Sequence, residues 1–321
     1  MLACRVSPKQ KAEVVQLVKH RNPSKTTLAI GDGANDVNMI NAAHIGIGIS
    51  GLEGQQAVKA SDYAIGKFKF LKNLLLVHGR ESYRRNSFAT GYIFYKNILE
   101  TAPIFYFGMF SIFSGTMLYH LLLYNMFNPV FTSVPIVWFS TMDFEHSKEK
   151  LLSDPSLYKY GMRNLHFNTR IFLRWVFYGF WQSFLILIFT LLSIARQSAS
   201  IHGRYGGYVD AGDFTFACIV VVANVKILVS AFEVSVGVIC TVLLSISLYV
   251  AGHAFVSNSE AFLLDDQFGS LLNLTYFPAM YLAMFLFICM FGLIDHGIDK
   301  TRRYLKIRRL ANEEAEEFAR K

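Results

Sequence analysis

Charge is what this 321-residue sequence is short of: Asp, Glu, Lys and Arg make up only 17% of it, whereas 53% is hydrophobic. Soluble globular chains carry about a quarter charged residues, so that class is disfavoured at the outset. The charges present are unevenly spread, dense from Lys9 to Arg85 and again after Lys300, thin between. Cysteine is scarce too. Cys4, Cys218, Cys240 and Cys289 make no disulfide framework, and three of them lie inside apolar runs where packing is the default role. Met1 to Lys9 lacks the apolar core region of a signal peptide. The net charge of +8 does not indicate nucleic acid, because the basic residues cluster beside apolar spans rather than along a recognition helix.

What fills the space is apolar and aromatic, with 29 Phe and 16 Tyr. Six stretches, at about 93–119, 129–143, 171–194, 214–232, 234–256 and 275–295, read as membrane spans within a domain over 93–297. Most approach the ~20 residues a helix needs to cross a bilayer. The second is short and is expected mainly as a return crossing. The fourth and fifth, separated by little more than Glu233, form a tight hairpin or an interrupted helix. Loop charge sets the orientation. Lys148, Lys150, Lys159, Arg163 and Arg170 follow the second span, and Lys300, Arg302, Arg303, Lys306, Arg308 and Arg309 form a tail over 298–321. The opposite loops offer only Arg196 and Arg204, so both termini are expected in the cytoplasm. An Asn273-Leu274-Thr275 acceptor pattern falls on the far side, too near the bilayer for easy glycosylation.

The first 69 residues read differently, as part of an α/β domain. Ser7-Pro8 suits a helix cap and first helical residue, and Ala12, Val14, Val15, Leu17 and Val18 recur at helical spacing. Thr26 to Ile30 and Ile45 to Ile49 read as buried strands, with the next helix over Glu53 to Ala60. Between the strands, Gly31-Asp32-Gly33-Ala34-Asn35-Asp36 ends an apolar run in two carboxylates, the first held between glycines. A parallel strand delivers side chains in this way to the edge of a sheet where ligands bind. Asp32 and Asp36 repel each other unless a cation is near, and Mg²⁺, which takes a few carboxylates plus phosphate oxygens, fits best. A strand-to-helix turn with solvated aspartates is the plainer reading of such a string. This is too little chain for a complete doubly wound sheet, so the sequence is expected to begin inside a domain, as a fragment or a truncated gene model. Residues 70–92 form a charged, amphipathic stretch that runs into the first span without a turn signal, a plausible stalk helix.

These motifs in this order resemble the C-terminal part of a type IV P-type ATPase, a phospholipid flippase. The similarity is carried by Gly31-Asp32-Gly33-Ala34-Asn35-Asp36, by Ser7-Pro8-Lys9-Gln10-Lys11 upstream, and by Ile45-Gly46-Ile47-Gly48-Ile49-Ser50-Gly51-Leu52-Glu53-Gly54-Gln55-Gln56-Ala57 with Ser61-Asp62-Tyr63-Ala64-Ile65. Leu74-Leu75-Leu76-Val77-His78-Gly79-Arg80, Phe94-Tyr95-Lys96-Asn97, Phe131-Thr132-Ser133-Val134-Pro135 and Val222-Ala223-Asn224-Val225-Lys226 extend it. Beyond Phe232 the likeness is one of hydropathy. The resemblance implies a partial haloacid-dehalogenase-like phosphorylation domain followed by an all-α membrane domain of six transmembrane helices. It implies Mg²⁺ on Asp32 and Asp36, with Asn35 and Asp36 ordering the phosphate site and Lys11 contacting a phosphorylated aspartate. It also implies ATP as the energy source, a phospholipid substrate and a Cdc50-type accessory subunit. The family's Asp-Lys-Thr-Gly acceptor string is missing, as are sequences for its nucleotide-binding and actuator domains and first four spans. The chain alone is therefore expected to be incompetent for ATP hydrolysis.

The spans themselves argue about cargo. A cation pump needs clustered oxygen ligands at mid-membrane. Here Lys96 and Glu100 precede an apolar run from Ile104 to Phe113, and the second span has Thr132, Ser133 and Ser140 but no carboxylate before Asp143. That pattern suits a lipid whose headgroup passes a polar groove, with Lys96 and Asn97 as transport candidates by resemblance. Against this, Lys96 also reads as a lysine snorkelling to the interface; Glu100 is one turn away and available as its partner. Asn224 and Lys226 read first as helix-packing groups. Two other functions remain open on sequence alone: a non-catalytic truncated membrane protein that binds a partner, and a fragment of a cation-transporting P-type ATPase.

Overall fold

A computed structural model describes residues 4–51, 55–195, 207–259, 269–275 and 278–319. In chain order, α1 (Pro8–Arg21) leads to β1 (Leu28–Gly31), a 3-10 turn (Ala34–Asp36), α2 (Val37–Ala42), β2 (Ile45–Ile49), α3 (Gln56–Ala60) and β3 (Tyr63–Ile65). After a second 3-10 turn, α4 (Leu71–Asn73) runs through a π-helical segment (Leu74–Gly79) into α5 (Arg80–Phe110). Then come α6 (Leu121–Met126), a second π segment (Phe127–Phe131), α7 (Ser133–Met142), α8 (Lys148–Ser153) and α9 (Lys159–Met162). The long helices α10 (Thr169–Ala195), α11 (Tyr208–Ser230), α12 (Val236–Asn258) and α14 (Pro278–Ala319) follow, with the short α13 (Ser270–Thr275) before the last. The chain divides into a sheet unit, Met1–Arg80 with Ser147–Lys159, and a helical unit, Glu81–His146 with Tyr160–Lys321. Arg196, Arg204 and Leu52 to Gly54 lie outside the described residues, as do the side chains of Asn273, Thr275, Arg302, Arg303, Lys306, Arg308 and Arg309.

The sheet unit is built on a parallel sheet in the order β1-β2-β3, with Ile30 opposite Ile47 and Ile49 opposite Ile65. The central strand β2 is a short apolar run buried at its centre, as expected when both faces are covered, whereas β3 is largely exposed. Glycine decides how closely the crossovers approach. A Cβ on Gly48 would meet the backbone of Ala57 and Val58 at 2.7–2.8 Å, so α3 can lie against β2 only because that side chain is absent. Helix α1 has the expected start: Ser7 and Gln10 close a reciprocal capping box, with Pro8 in the first turn.

In the helical unit, α11 is the central element. Of its apolar window 78% is buried, against 28% for that of α12, and it packs on α10, α12, α13 and α14. A helix apolar all round is a buried helix, and α12 turns Leu243, Leu244 and Phe255 outward instead. Large aromatics fill the interior, among them Tyr92, Tyr95, Phe127, Phe131 and Phe216. Two of their hydroxyls find protein partners, as an apolar surround favours. The Tyr92 hydroxyl donates to the Ala223 carbonyl at 3.0 Å, and that of Tyr95 to Gln182 Oε1.

Four helical stretches among the described residues are long and apolar enough to cross a bilayer: Leu121–Met142, Thr169–Leu192, Tyr208–Ser230 and Val236–Asn258. The expected first span, 93–119, maps onto α5, which stops at Phe110; Ile112 and Phe113 then adopt positive φ ahead of Gly115. Hydropathy runs on past that point, but the turn at Ser111–Phe113 ends the helix. The short second span gains length at its front, because the helical path begins at Leu121, upstream of Pro129. The expected sixth falls in α14, whose apolar stretch is the shorter Met284–Ile298 and whose helix continues to Ala319.

Candidate functional site

In the sheet unit, the carboxyl end of β1 turns into the 3-10 segment and brings Asp36 back beneath Gly31. A Cβ on Gly31 would collide with the Asp36 side chain, so glycine here is a steric requirement. Asp36 is 8% exposed. Its Oδ1 receives Lys11 Nζ at 2.7 Å, and its Oδ2 accepts the Asp32 amide at 3.3 Å. Partial burial pushes the Asp36 pKa up, but the Lys11 ammonium and the Asp32 and Gly33 amides outweigh it and hold the group below its ordinary range. The cation facing Asp36 is thus Lys11. Asp32 and Asn35 are exposed at the same turn. The turn therefore combines a fixed ammonium–carboxylate pair with a solvent-accessible carboxylate, an arrangement suited to one protein ligand of a largely hydrated hard cation.

In the helical unit, the second candidate site surrounds Lys96, which is 5% exposed on α5. Its Nζ donates to Thr132 Oγ1 at 2.6 Å and lies over the Phe127 ring at 5.7 Å. Thr132 sits where the helix is interrupted, at φ −138° and ψ −6°, and its hydroxyl donates to the Phe127 carbonyl at 2.9 Å. The freed Phe131 carbonyl accepts Asn224 Nδ2 at 3.0 Å and the Ser245 hydroxyl. Asn224 also donates to Val220 O at 2.8 Å, so this residue braces the interruption. Glu100, 2% exposed, accepts from Asn128 Nδ2 at 3.4 Å and makes no ion pair with Lys96 within 4.0 Å. Asn97 is half-buried beside Lys96, with its Oδ1 lacking a hydrogen-bond partner.

Other buried charges in this unit are held differently. Arg84 pairs with Glu81 and with Asp143, each at 2.9 Å, while Asp143 Oδ1 accepts the Phe232 and Glu233 amides. Lys226 meets Asp295 at 2.9 Å, and His253 meets Asp213 at 3.2 Å. Asp210 accepts the Gly207 amide at the start of α11. Sequence reasoning missed Thr132 as the partner of Lys96 and missed all three of these ionic clusters. Only Glu81 and Arg84, three residues apart, are local; Arg84 and Asp143 are 59 residues apart.

A family model described as phospholipid-translocating P-type ATPase C-terminal matches residues 58–307. Over 227 residues, 71% of the chain, the sequence is 44% identical to a probable phospholipid-transporting ATPase 5 of Arabidopsis thaliana, covering 18% of that relative. It is 44% identical over 229 residues to a human probable phospholipid-transporting ATPase IM, 71% of the chain and 19% of the relative. A mouse phospholipid-transporting ATPase IH is 39% identical over 227 residues, 71% of the chain and 19% of the relative. The chain thus spans just under a fifth of the length of these curated relatives.

Proposed function

The chain belongs to the phospholipid-translocating P-type ATPase C-terminal family, and from that premise we propose that it is the C-terminal portion of an ATP-driven flippase moving phospholipid to the cytoplasmic leaflet. The observation that carries this reading is Lys96, buried on α5 and bonded to the interruption at Thr132 in the region the family covers. A buried ammonium beside opened backbone offers an anionic headgroup both a countercharge and hydrogen-bond partners. Lys96 would hold the headgroup phosphate while Asn97 donates from the next position. The buried acids Asp143, Asp213 and Asp295 are engaged with basic side chains, so Glu100 stands without the clustered carboxylates that a dehydrated cation needs, which favours lipid as cargo.

In this reading the sheet unit is the C-terminal part of a haloacid-dehalogenase-like phosphorylation domain. Six crossings are provided by α5, the interrupted α6–α7 path, α10, α11, α12 and α14, with both termini cytoplasmic. The sequence contains no Asp-Lys-Thr-Gly string, so the acceptor aspartate and most of the ATP site must come from outside these residues, and the chain alone is inactive. Mg²⁺ bound at Asp32 would neutralise charge on the transferring phosphoryl group. Lys11 would contact the phosphoryl oxygens, Asp36 would hold Lys11 in place, and Asn35 would order the turn. A Cdc50-type accessory subunit belongs to the same proposal. The test is phosphoenzyme formation from ATP by the intact protein that contains this segment. It should require Mg²⁺ and fall at least about a hundredfold in Asp32→Asn and Lys11→Met; phosphorylation at wild-type level in both variants would refute the roles given to these residues.

A further inference from the structure

Lys96 and Glu100 are the anomaly among the buried charges of the helical unit. Arg84, Lys226 and His253 each have a carboxylate within 3.2 Å, and Asp210 is bound into a helix cap. Lys96 instead donates to a neutral hydroxyl, and Glu100 has only a long contact from Asn128 at 3.4 Å. Glu100 Oε1 is buried without any hydrogen-bond partner. So is the hydroxyl of Tyr119, a residue close enough to Glu100 to feel its charge. An apolar interior makes such an unmet carboxylate costly, and a ligand that brings a donor and a positive charge would relieve it.

The two groups stand four residues apart on α5, one turn and ~6 Å along the axis at 1.5 Å per residue. They share a helix face, yet no ion pair within 4.0 Å joins them. We propose that Lys96 and Glu100 together read a zwitterionic lipid headgroup, Lys96 taking the phosphate and Glu100, with Asn128 and Tyr119, taking an ammonium joined to that phosphate by a short carbon bridge. This assignment rests on the flippase reading and narrows its cargo. The preferred substrates are phospholipids with an ammonium, such as phosphatidylethanolamine or phosphatidylcholine. Headgroups with phosphate alone satisfy only half of the site, and neutral glycolipids satisfy neither half.

The experiment measures lipid-stimulated ATP hydrolysis by the intact protein in detergent micelles, titrated with phosphatidylethanolamine, phosphatidylcholine, phosphatidylglycerol or glucosylceramide. Wild type should respond to at least one ammonium lipid at lower concentration than to phosphatidylglycerol. Glu100→Gln, which keeps the shape and removes the charge, should raise half-saturation for that ammonium lipid roughly tenfold or more and narrow the gap to phosphatidylglycerol. Glu100→Asp should recover part of the loss. Tyr119→Phe, which removes only a hydroxyl, should shift it in the same direction by less. Lys96→Met should weaken both phosphate-bearing classes alike. The assignment is overturned, with the flippase reading intact, if Glu100→Gln and Tyr119→Phe change all lipids by one factor or change none. A wild-type protein that hydrolyses ATP yet answers to no lipid overturns the flippase reading and this assignment with it.

Discussion

Arg84 anchors three segments of the helical unit at once, and its removal is the sharpest test of what holds them together. Its Nε and one terminal nitrogen reach Glu81 Oε2, both at 2.9 Å. The same terminal nitrogen reaches Asp143 Oδ2 and the Asp143 carbonyl, each at 2.9 Å. Asp143 in turn binds the Phe232 and Glu233 amides that link α11 to α12. Exposure of the Arg84 and Asp143 side chains is only 5% and 4%, so solvent offers little screening. Breaking a buried pair by deleting one partner costs about 3–5 kcal/mol, because the other charge is left uncompensated. Arg84→Met takes the guanidinium from both carboxylates and belongs within that range. Asp143→Asn keeps an oxygen for the two amides and belongs at or below its foot. Cys218 supplies the readout, since it is buried in α11 whereas Cys240 is exposed. Thiol labelling followed residue by residue should accelerate at Cys218 by roughly a hundredfold or more in Arg84→Met, as 1.4 kcal/mol is worth a factor of ten. Labelling at Cys240 should barely change. Arg84→Lys should not rescue, because one ammonium cannot reproduce the guanidinium fork. Cys218 protection within threefold of wild type in Arg84→Met would refute the reasoning.

Three further outcomes follow from the two candidate sites. Gly31→Ala places a methyl group on the Asp36 side chain and should cost about 1–3 kcal/mol, seen as faster hydrogen exchange in β1 and β2; unchanged exchange would contradict the geometry. The depressed pKa of Asp36 stabilises the fold above its ordinary value of 3.8, and this contribution is lost as pH falls through the lower folded value. Lys11→Met should therefore move the onset of acid-induced exchange in the sheet unit to higher pH, whereas superimposable acid profiles would show that the pair is not coupled. Thr132→Val deprives Lys96 of its acceptor and the Phe127 carbonyl of a donor. It should cost about 1–3 kcal/mol in Cys218 protection, with Thr132→Ser close to wild type.

The parts of this protein legible in its sequence are those whose cause is local. Ser7, Pro8 and Gln10 announce a helix start because a capping box spans three residues, and the helix is there. The glycine-flanked Asp32, with Asp36 four residues on, marks the end of a strand for the same reason, although the partnership of Asp36 with Lys11 crosses 25 residues. Lys96 is conspicuous as a charge in an apolar run. Its partner is not, because Thr132 lies 36 residues away on a path whose interruption hydropathy does not register. Spacing alone made Glu100 available as the partner of Lys96, yet the lysine takes the Thr132 hydroxyl instead. Helix ends were blurred where apolar composition outlasts the helix, as beyond Phe110, or where proline conceals its continuation, as upstream of Pro129.

The most direct measurement is ATP-driven movement of labelled phospholipid in vesicles containing the intact protein, wild type against Lys96→Met. Transport to the cytoplasmic-side leaflet by wild type, lost at least about tenfold in Lys96→Met while the variant keeps wild-type Cys218 protection, is the predicted result. Undiminished lipid movement by Lys96→Met, or none by a wild-type protein that forms its phosphoenzyme, would contradict the account.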